Sequence, residues 1–343
     1  MPAVKGVLDA TCPTWIYSGS NHHEGPIAPF GRIEKEDLPQ SKEFLDFIGE
    51  YPPLLAIGNT PMVRMDLSLD IDDVEIHAKY EHLNPGGSIK DRPVLKMLVE
   101  AILSGELTRD KIILDATSGN AGIAYAMIGA TLGYKVQLVM PANASEERKK
   151  RVLSHGAEIV FTDPMLGYDE TLREVRRRYE ADSGKYFYCD QYGNMNNPQA
   201  HYETTAEEIL RQVPDVTHFV AGVGTGGTIS GVGRRLKESN PDTKMVLINF
   251  DEWPGIEGLK PLGQGHIVPD TFDESIVDEA LRIDIDKAFE MSKLMASRGI
   301  FAGQSSGAYV LGAYMTAKEL THGRVVTILN DIGERYFSTG MWD

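Results

Sequence analysis

From Ile112 onward the chain alternates short β-branched runs with longer amphipathic ones, and this alternation limits the possible folds more than any other feature. Ile112 to Leu114, Ala121 to Leu132 and Val136 to Met140 read as strand, helix and strand. A helix around Glu146 to Ser154, a strand at Glu158 to Thr162, a helix near Glu170 to Glu180 and a strand at Tyr186 to Tyr188 continue the pattern. A second series follows: helix from about Pro198 to Gln212, strand His218 to Ala221, helix Ile229 to Glu238 and strand Met245 to Phe250. After an irregular stretch, Pro254 to Pro269, come helices near Lys287 to Ser297 and Gly307 to Leu320 and a last strand at Arg324 to Leu329. Parallel strands need crossover connections, so this order predicts parallel sheets with helices on both faces. Two series predict an α/β chain of two parallel-sheet, three-layer domains, with the seam near Tyr192 to Pro198. A length of 343 residues, 42% of them hydrophobic, suits two cores. The expected division is 51–85 with 196–343 as the larger domain and 86–195 as the smaller. Residues 1–50, rich in Pro, Gly, Ser and His, break the pattern and are expected to lie over the core as an extension.

Composition excludes several functions. With 50 acidic against 34 basic residues the formal net charge is −16, and no basic stripe is interleaved with aromatics, so no nucleic-acid partner is expected. The basic runs Arg148 to Arg151 and Arg176 to Arg178 fall in helical stretches and read as solvated faces. Two cysteines, Cys12 and Cys189, make no disulfide framework, and no segment reaches the roughly 18 apolar residues of a membrane span. A soluble, cytoplasmic protein is expected.

Three turns carry the chemistry, each where ligands bind in parallel α/β folds, at the carboxyl end of the strands. In Asn84 to Arg92 a lysine, Lys90, follows a glycine turn at a helix start. The positive end of the helix dipole there favours the neutral amine that Schiff-base chemistry needs; a surface lysine on a first turn would share the pattern. Thr117, Ser118, Gly119, Asn120, Ala121 and Gly122 lie between the Asp115 strand and the next helix, where free N–H groups and two hydroxyls suit a carboxylate. A simple capped helix fits equally. Gly222 to Thr228 (GVGTGGT) follows an apolar strand and reads as a phosphate cradle of Gly224, Thr225, Gly226, Gly227 and Thr228. It also satisfies GxGxxG, with Asp251 after the next strand, which keeps a dinucleotide site open.

The segments NPGGSIKDR, TSGNAG and GVGTGGT, in this order and spacing, resemble the fold-type II pyridoxal 5′-phosphate (PLP) enzymes of the cysteine synthase and cystathionine β-synthase group, whose fold is tryptophan synthase β-like. The resemblance runs from Gly58, Asn59, Thr60, Pro61 through Gln191, Asn194 and Pro198 to Gly303–Gly307 and Asp331–Thr339. It implies that Lys90 holds the cofactor and later moves the α-proton, that Asn120 bonds the ring 3′-oxygen, and that Gly224 to Thr228 hold the phosphate. Thr117, Ser118, Gly119, Asn120 and Gln191 would receive the substrate carboxylate, and Ser305, with Ser306 as the alternative, would face the pyridine nitrogen. A serine there cannot protonate the ring as an aspartate would, which favours β-chemistry over transamination. The activity implied is β-replacement on a serine- or cysteine-type amino acid through an α-aminoacrylate, foremost cysteine synthase using O-acetylserine or O-phosphoserine. Cystathionine β-synthase and synthesis of a non-proteinogenic β-substituted alanine are alternatives, and an NAD-dependent oxidoreductase built on Gly222 to Gly227 is a reading from another class. The implied partners are an amino acid, a small nucleophile and a second copy of the chain in a homodimer.

Three departures from the family stand out. Ala121 replaces the usual threonine, Asn249 to Pro254 replace a Glu-Pro pair in a segment expected to rim the mouth, and Gln304 replaces an apolar or Gly neighbour of the serines. Cys12, His22 and His23 also loosely resemble the haem-binding arm of animal cystathionine β-synthases, thiolate and imidazole being a sound haem ligand pair.

Overall fold

The computed structural model describes residues 37–67, 71, 73–251, 255–260, 262 and 267–343. Cys12, His22 and His23 lie outside them, as do Glu252, Trp253 and Pro254. The strands are β1 (Met62–Arg64), β2 (Val74–Tyr80), β3 (Ile112–Ala116), β4 (Val136–Pro141), β5 (Glu158–Thr162), β6 (Tyr186–Tyr188), β7 (His218–Gly222), β8 (Lys244–Asn249), β9 (Glu279–Arg282) and β10 (Gly323–Leu329). The helices are α1 (Lys42–Gly49), α2 (Asp91–Leu103), α3 (Asn120–Leu132), α4 (Glu146–Ser154), α5 (Gly167–Ala181), α6 (Asn196–Ala200), α7 (Glu207–Gln212), α8 (Gly227–Ser239), α9 (Ile285–Ser297) and α10 (Gln304–Lys318). None of them is long and apolar enough to cross a membrane.

Two sheets result. Four strands in the order β5-β4-β3-β6 are parallel throughout. Six strands in the order β1-β2-β10-β7-β8-β9 are parallel except at the edge, where β1 runs antiparallel to β2. That edge departs from the all-parallel expectation: β1 returns through a short connection, which permits only antiparallel pairing. Strand β9 also escapes the sequence pattern, because its residues are half or fully exposed and show no apolar alternation. In α3 the residues are apolar on nearly every face, as a helix wedged between sheet and neighbouring helices must be, and Gly133 ends it in the left-handed conformation.

Within the extension expected over residues 1–50, the described part forms a helix that packs on the core. Ser41 caps α1 by accepting the Phe44 N–H, and Phe44 and Ile48 are buried in the same core as Val94, Leu98, Ile113 and Tyr125. The helix expected over 198–212 is there, beginning at Asn196, but it widens into a π-helical turn at His201–Ala206. That turn buries His201, which contacts Thr205 and, at 3.3 Å, Thr228.

The strand orders decide where a ligand can bind. In each sheet, successive connections leave a strand in opposite directions, between β3 and β6 and between β7 and β10, and a crevice opens at the carboxyl ends of such strands. Thr117 and Gln191 follow β3 and β6; Gly222 and Asn330 end or follow β7 and β10.

A buried ion cluster anchors the segment that brings α2 to this place. The Arg92 guanidinium bonds Glu81 (2.7 and 2.8 Å) and Glu208 (2.6 and 2.7 Å), and Lys79 reaches Glu208 at 2.7 Å. Burial would raise the Glu208 carboxyl, but Arg92 and Lys79 hold it down to about 2. A group depressed in the fold contributes stability above its unfolded pKa and loses it as pH falls toward 2. Glu208→Ala would leave two buried cations short of a counter-charge, and its expected cost is about 3–5 kcal/mol in chemical denaturation. Arg177→Ala, which breaks only surface pairs with Glu170 and Glu174, is expected to leave the unfolding midpoint unchanged.

Candidate active site

Lys90 sits where the two crevices meet. The turn before it is closed by Asp91, whose carboxylate accepts the Gly86 N–H, and a Cβ on Gly86 would collide with that carboxylate. The Ile89 N–H donates to Asn330 O (2.9 Å), so the lysine is tied to the end of β10. Its side chain is half-buried and lines a cavity of about 710 Å³, mouth included. Burial lowers the amine to about 8, against the opposing charge of Asp331. Desolvation therefore favours the neutral amine at this helix start.

The remaining sequence-derived positions mostly line the same cavity: Thr117, Ser118, Asn120, Gln191, Gly224, Thr225, Gly226, Thr228 and Ser305. Gly119 and Gly227 stand behind it, where a Cβ would strike the Arg148 side chain and the Asn197 amide respectively. Thr117 Oγ1 accepts the N–H groups of Gly119 and Gly122 (both 3.0 Å), so its own proton is left for another acceptor. The Asn120 amide donates to Asp331 Oδ2 (2.7 Å) and accepts from Arg335. Gln191 Nε2 donates to Ala116 O (2.7 Å), which leaves one amide proton free to turn elsewhere.

On the far side, α8 starts at Gly227, and its first N–H groups have no intrahelical acceptor. Gly226 adopts φ +83°, and a Cβ there would run into Phe272; one on Gly224 would meet the Gly258 carbonyl at 2.6 Å. The serine alternatives separate as well. Ser306 accepts the Asn330 N–H (2.9 Å) away from the cavity, while Ser305, receiving only the Asn330 amide at 3.3 Å, lines it.

Sequence reasoning misjudged Arg148. Read as part of a solvated basic run, it is buried, with 3% side-chain exposure, and it lines the cavity. It pairs with Glu257 and, at 3.7 Å, with Asp331, and lies over the Tyr336 ring at 4.7 Å. Helical periodicity could not show this, because the groups that cover Arg148 (Glu257, Asp331 and Tyr336) lie far along the chain. The run Arg176 to Arg178 does face outward, with Arg177 and Arg178 on Glu170 and Glu174. The departures also find their places. Gln304 Oε1 accepts the Glu257 N–H (3.1 Å) and so secures the segment whose Gly258 and Leu259 wall the cavity, and Lys260 of that segment bonds Asp169 at 2.8 Å. Asp251 is exposed and pairs with Arg282, so its carboxylate faces solvent. Ala121 is buried against the cavity, where a hydroxyl-bearing residue would add a donor.

The cavity thus joins a lysine amine of lowered pKa, a helix N-terminus walled by glycines, and a second loop of free donors. That donor set fits an aldehyde cofactor bearing a phosphate. Comparison with known proteins agrees: the family model "Pyridoxal-phosphate dependent enzyme" matches residues 53–331. The chain belongs to this family. It is 45% identical over 300 residues to the cysteine synthase of Aquifex aeolicus, covering 84% of this chain and 91% of that one. Among solved structures it is similar to O-ureido-L-serine synthase (TM-score 0.79, 36% identity, covering 85% and 94%) and to the O-acetylserine-dependent cystathionine β-synthase of Helicobacter pylori (TM-score 0.79, 32% identity, covering 85% and 98%). The PLP enzyme is of the cysteine synthase kind and its chemistry is β-replacement. The dinucleotide reading of Gly222 to Gly227 falls with that result. Among the described residues no group of three His, Cys, Asp or Glu could hold a metal ion.

Lys90 reacts with the cofactor only as the free amine, so cofactor uptake by the apoenzyme is expected to speed up with rising pH and level off above about 8. Because Asp331 raises the amine, Asp331→Asn should move that midpoint to lower pH. Stopped-flow absorbance across pH 6 to 10, at roughly saturating PLP, checks both.

Proposed function

We propose that the enzyme makes cysteine from O-acetylserine and sulfide, with Lys90, Asn120, Gly224 to Thr228 and Ser305 holding the cofactor and Thr117 to Asn120 with Gln191 holding the amino acid. The observation that carries this reading is the convergence of two anion-accepting loops on one lysine amine inside a single cavity. When bound, PLP supplies an electron sink for charge developing at the substrate α-carbon. The chain supplies the rest. Lys90 Nζ takes the α-proton and returns it, its lowered pKa keeping the amine competent near neutrality. Thr117 Oγ–H, the free Gln191 amide proton and the N–H groups opening α3 orient the carboxylate. Ser305 offers a hydroxyl rather than a charge to the ring nitrogen. The Gly258 and Leu259 wall, tied across the mouth by Lys260 to Asp169 and by Glu257 to Arg148, limits entry of water.

Charge bears on the leaving group. Among the described residues lining the cavity the cations are Lys90 and Arg148, and Arg148 is already paired with two carboxylates. A neutral acetyl ester suits this better than a phosphate ester. A larger nucleophile, such as an amino-acid thiol, is a second reading: a cleft open to solvent adjoins the cavity and shares Ser118, Tyr168, Tyr192 and Gly224 with it. The same proposal places the enzyme in a reducing cytoplasm, consistent with the free, buried Cys189, and in a symmetric dimer with a whole site in each subunit.

The test is an assay of purified holoenzyme with O-acetylserine, O-phosphoserine, serine and cysteine against sulfide and homocysteine. O-acetylserine with sulfide should give the highest kcat/KM, and Lys90→Ala should lower it ~10³-fold or more. Pyruvate from every donor, with no thiol or thioether product, would overturn β-replacement. A preference for homocysteine would establish the second reading.

A further inference from the structure

Directly behind the Thr117 loop lies a buried pair that the steps above leave unused. Asp115, near the end of β3, takes three donors on its carboxylate: the Ala116 N–H (2.7 Å), the Gln191 N–H (3.1 Å) and the Tyr125 hydroxyl from α3. Both side chains are buried, Tyr125 at 0% exposure and Asp115 at 1%. What they hold is unusual in being almost wholly site. Gln191 has its N–H on Asp115, its Nε2 on Ala116 O (2.7 Å) and its C=O on the Asn197 amide (2.8 Å), and that same amide reaches Thr225 Oγ1 at 2.9 Å. Tyr125, Asp115, Gln191, Asn197 and Thr225 form one hydrogen-bonded file from the carboxylate loop to the phosphate loop, all of it buried.

We propose that Asp115 and Tyr125 are positioning residues that aim the one free amide proton of Gln191 at the substrate carboxylate. A glutamine side chain has three rotatable bonds, so without a fixed backbone its amide proton would sample many directions. Asp115 fixes the backbone from the β3 side and Asn197 from the other, and Ala116 O takes the first amide proton, which leaves a single direction for the second. Tyr125 matters because burial already raises the Asp115 carboxyl to about 7, and the Tyr125 hydroxyl is the strongest of the contacts that oppose the rise, so its loss would protonate the acid near neutral pH. An O–H placed on the acid would compete for the Gln191 contact. The sequence signal is the pairing of a short carboxylate at 115 with a tyrosine one helical turn beyond the loop, at 125.

This inference rests on the amino-acid carboxylate lying at the Thr117 to Gln191 loop, and the test separates the two claims. L-Alanine, which has no leaving group at Cβ, is titrated into wild-type, Tyr125→Phe and Asp115→Asn holoenzymes, with binding read from the cofactor absorbance. Steady-state kinetics with O-acetylserine and sulfide follow on the same samples. Loss of one charge-assisted hydrogen bond should weaken alanine binding and raise the donor KM about tenfold in Tyr125→Phe, and by more in Asp115→Asn, with kcat and the sulfide KM within about twofold of wild type. Asp115→Glu, which keeps the acceptor but moves it, should recover part of the loss. Should Asp115→Asn fail to fold, Tyr125→Phe, which deletes one hydroxyl, decides the matter alone. Unchanged alanine binding in a folded Tyr125→Phe overturns the positioning role, as does a uniform fall in kcat and in both affinities that tracks the melting temperature. Failure of the wild type to bind alanine at all sinks the carboxylate placement instead.

Discussion

Everything at the site depends on a guanidinium two residues beyond the reactive lysine. Arg92 is clamped between Glu81 and Glu208, with Thr60 Oγ1 a further acceptor at 3.2 Å, so the first turn of α2 cannot rotate or slide without exposing buried charge. Glu208 belongs to α7 and Glu81 follows β2, so the clamp joins elements far apart in the chain. The arrangement is costly to assemble, since four charged side chains leave water. Its return is positional: Lys90 is delivered to the end of β10 with its amine turned into an enclosed cavity, where desolvation keeps it reactive.

Around that fixed point the topology does the gathering. Each sheet opens a crevice where its strand order reverses, and the loops after β3, β6, β7 and β10 supply the walls. The loops are short and individually ordinary. Thr117 caps its own turn, Gly226 takes a left-handed conformation, and the first N–H groups of α8 have no acceptor within the helix. Only their shared cavity makes them a site. The same economy governs the mouth, where Gln304, a residue with no evident task in the family pattern, holds the backbone of Glu257, and ion pairs on either side of it bridge to α4 and α5.

Much of this was legible in the sequence because local periodicity and turn chemistry report on local structure. The strands and helices from Ile112 to Leu329 are nearly all where the alternation of β-branched and amphipathic runs puts them, and the lysine and glycine turns fall at strand-to-helix junctions. What was missed shares one property, dependence on residues distant in the chain. Arg148 carries the spacing of an exposed helix face and is buried against Glu257, Asp331 and Tyr336; β9 has no apolar alternation because it is an exposed edge; α1 was hidden in a stretch read as an extension, yet Phe44 and Ile48 are core.

By itself, then, the sequence determined the α/β class, the three ligand loops and, through their resemblance to a known family, the cofactor. These rest on interactions between residues close along the chain, or on motifs dense enough to be recognised without coordinates. The tertiary structure alone decided that Ser305 rather than Ser306 opens on the cavity, that Arg148 is part of the wall, and that burial lowers the Lys90 amine. Those are questions of direction, burial and charge separation, and each is answered by atoms brought together from different elements.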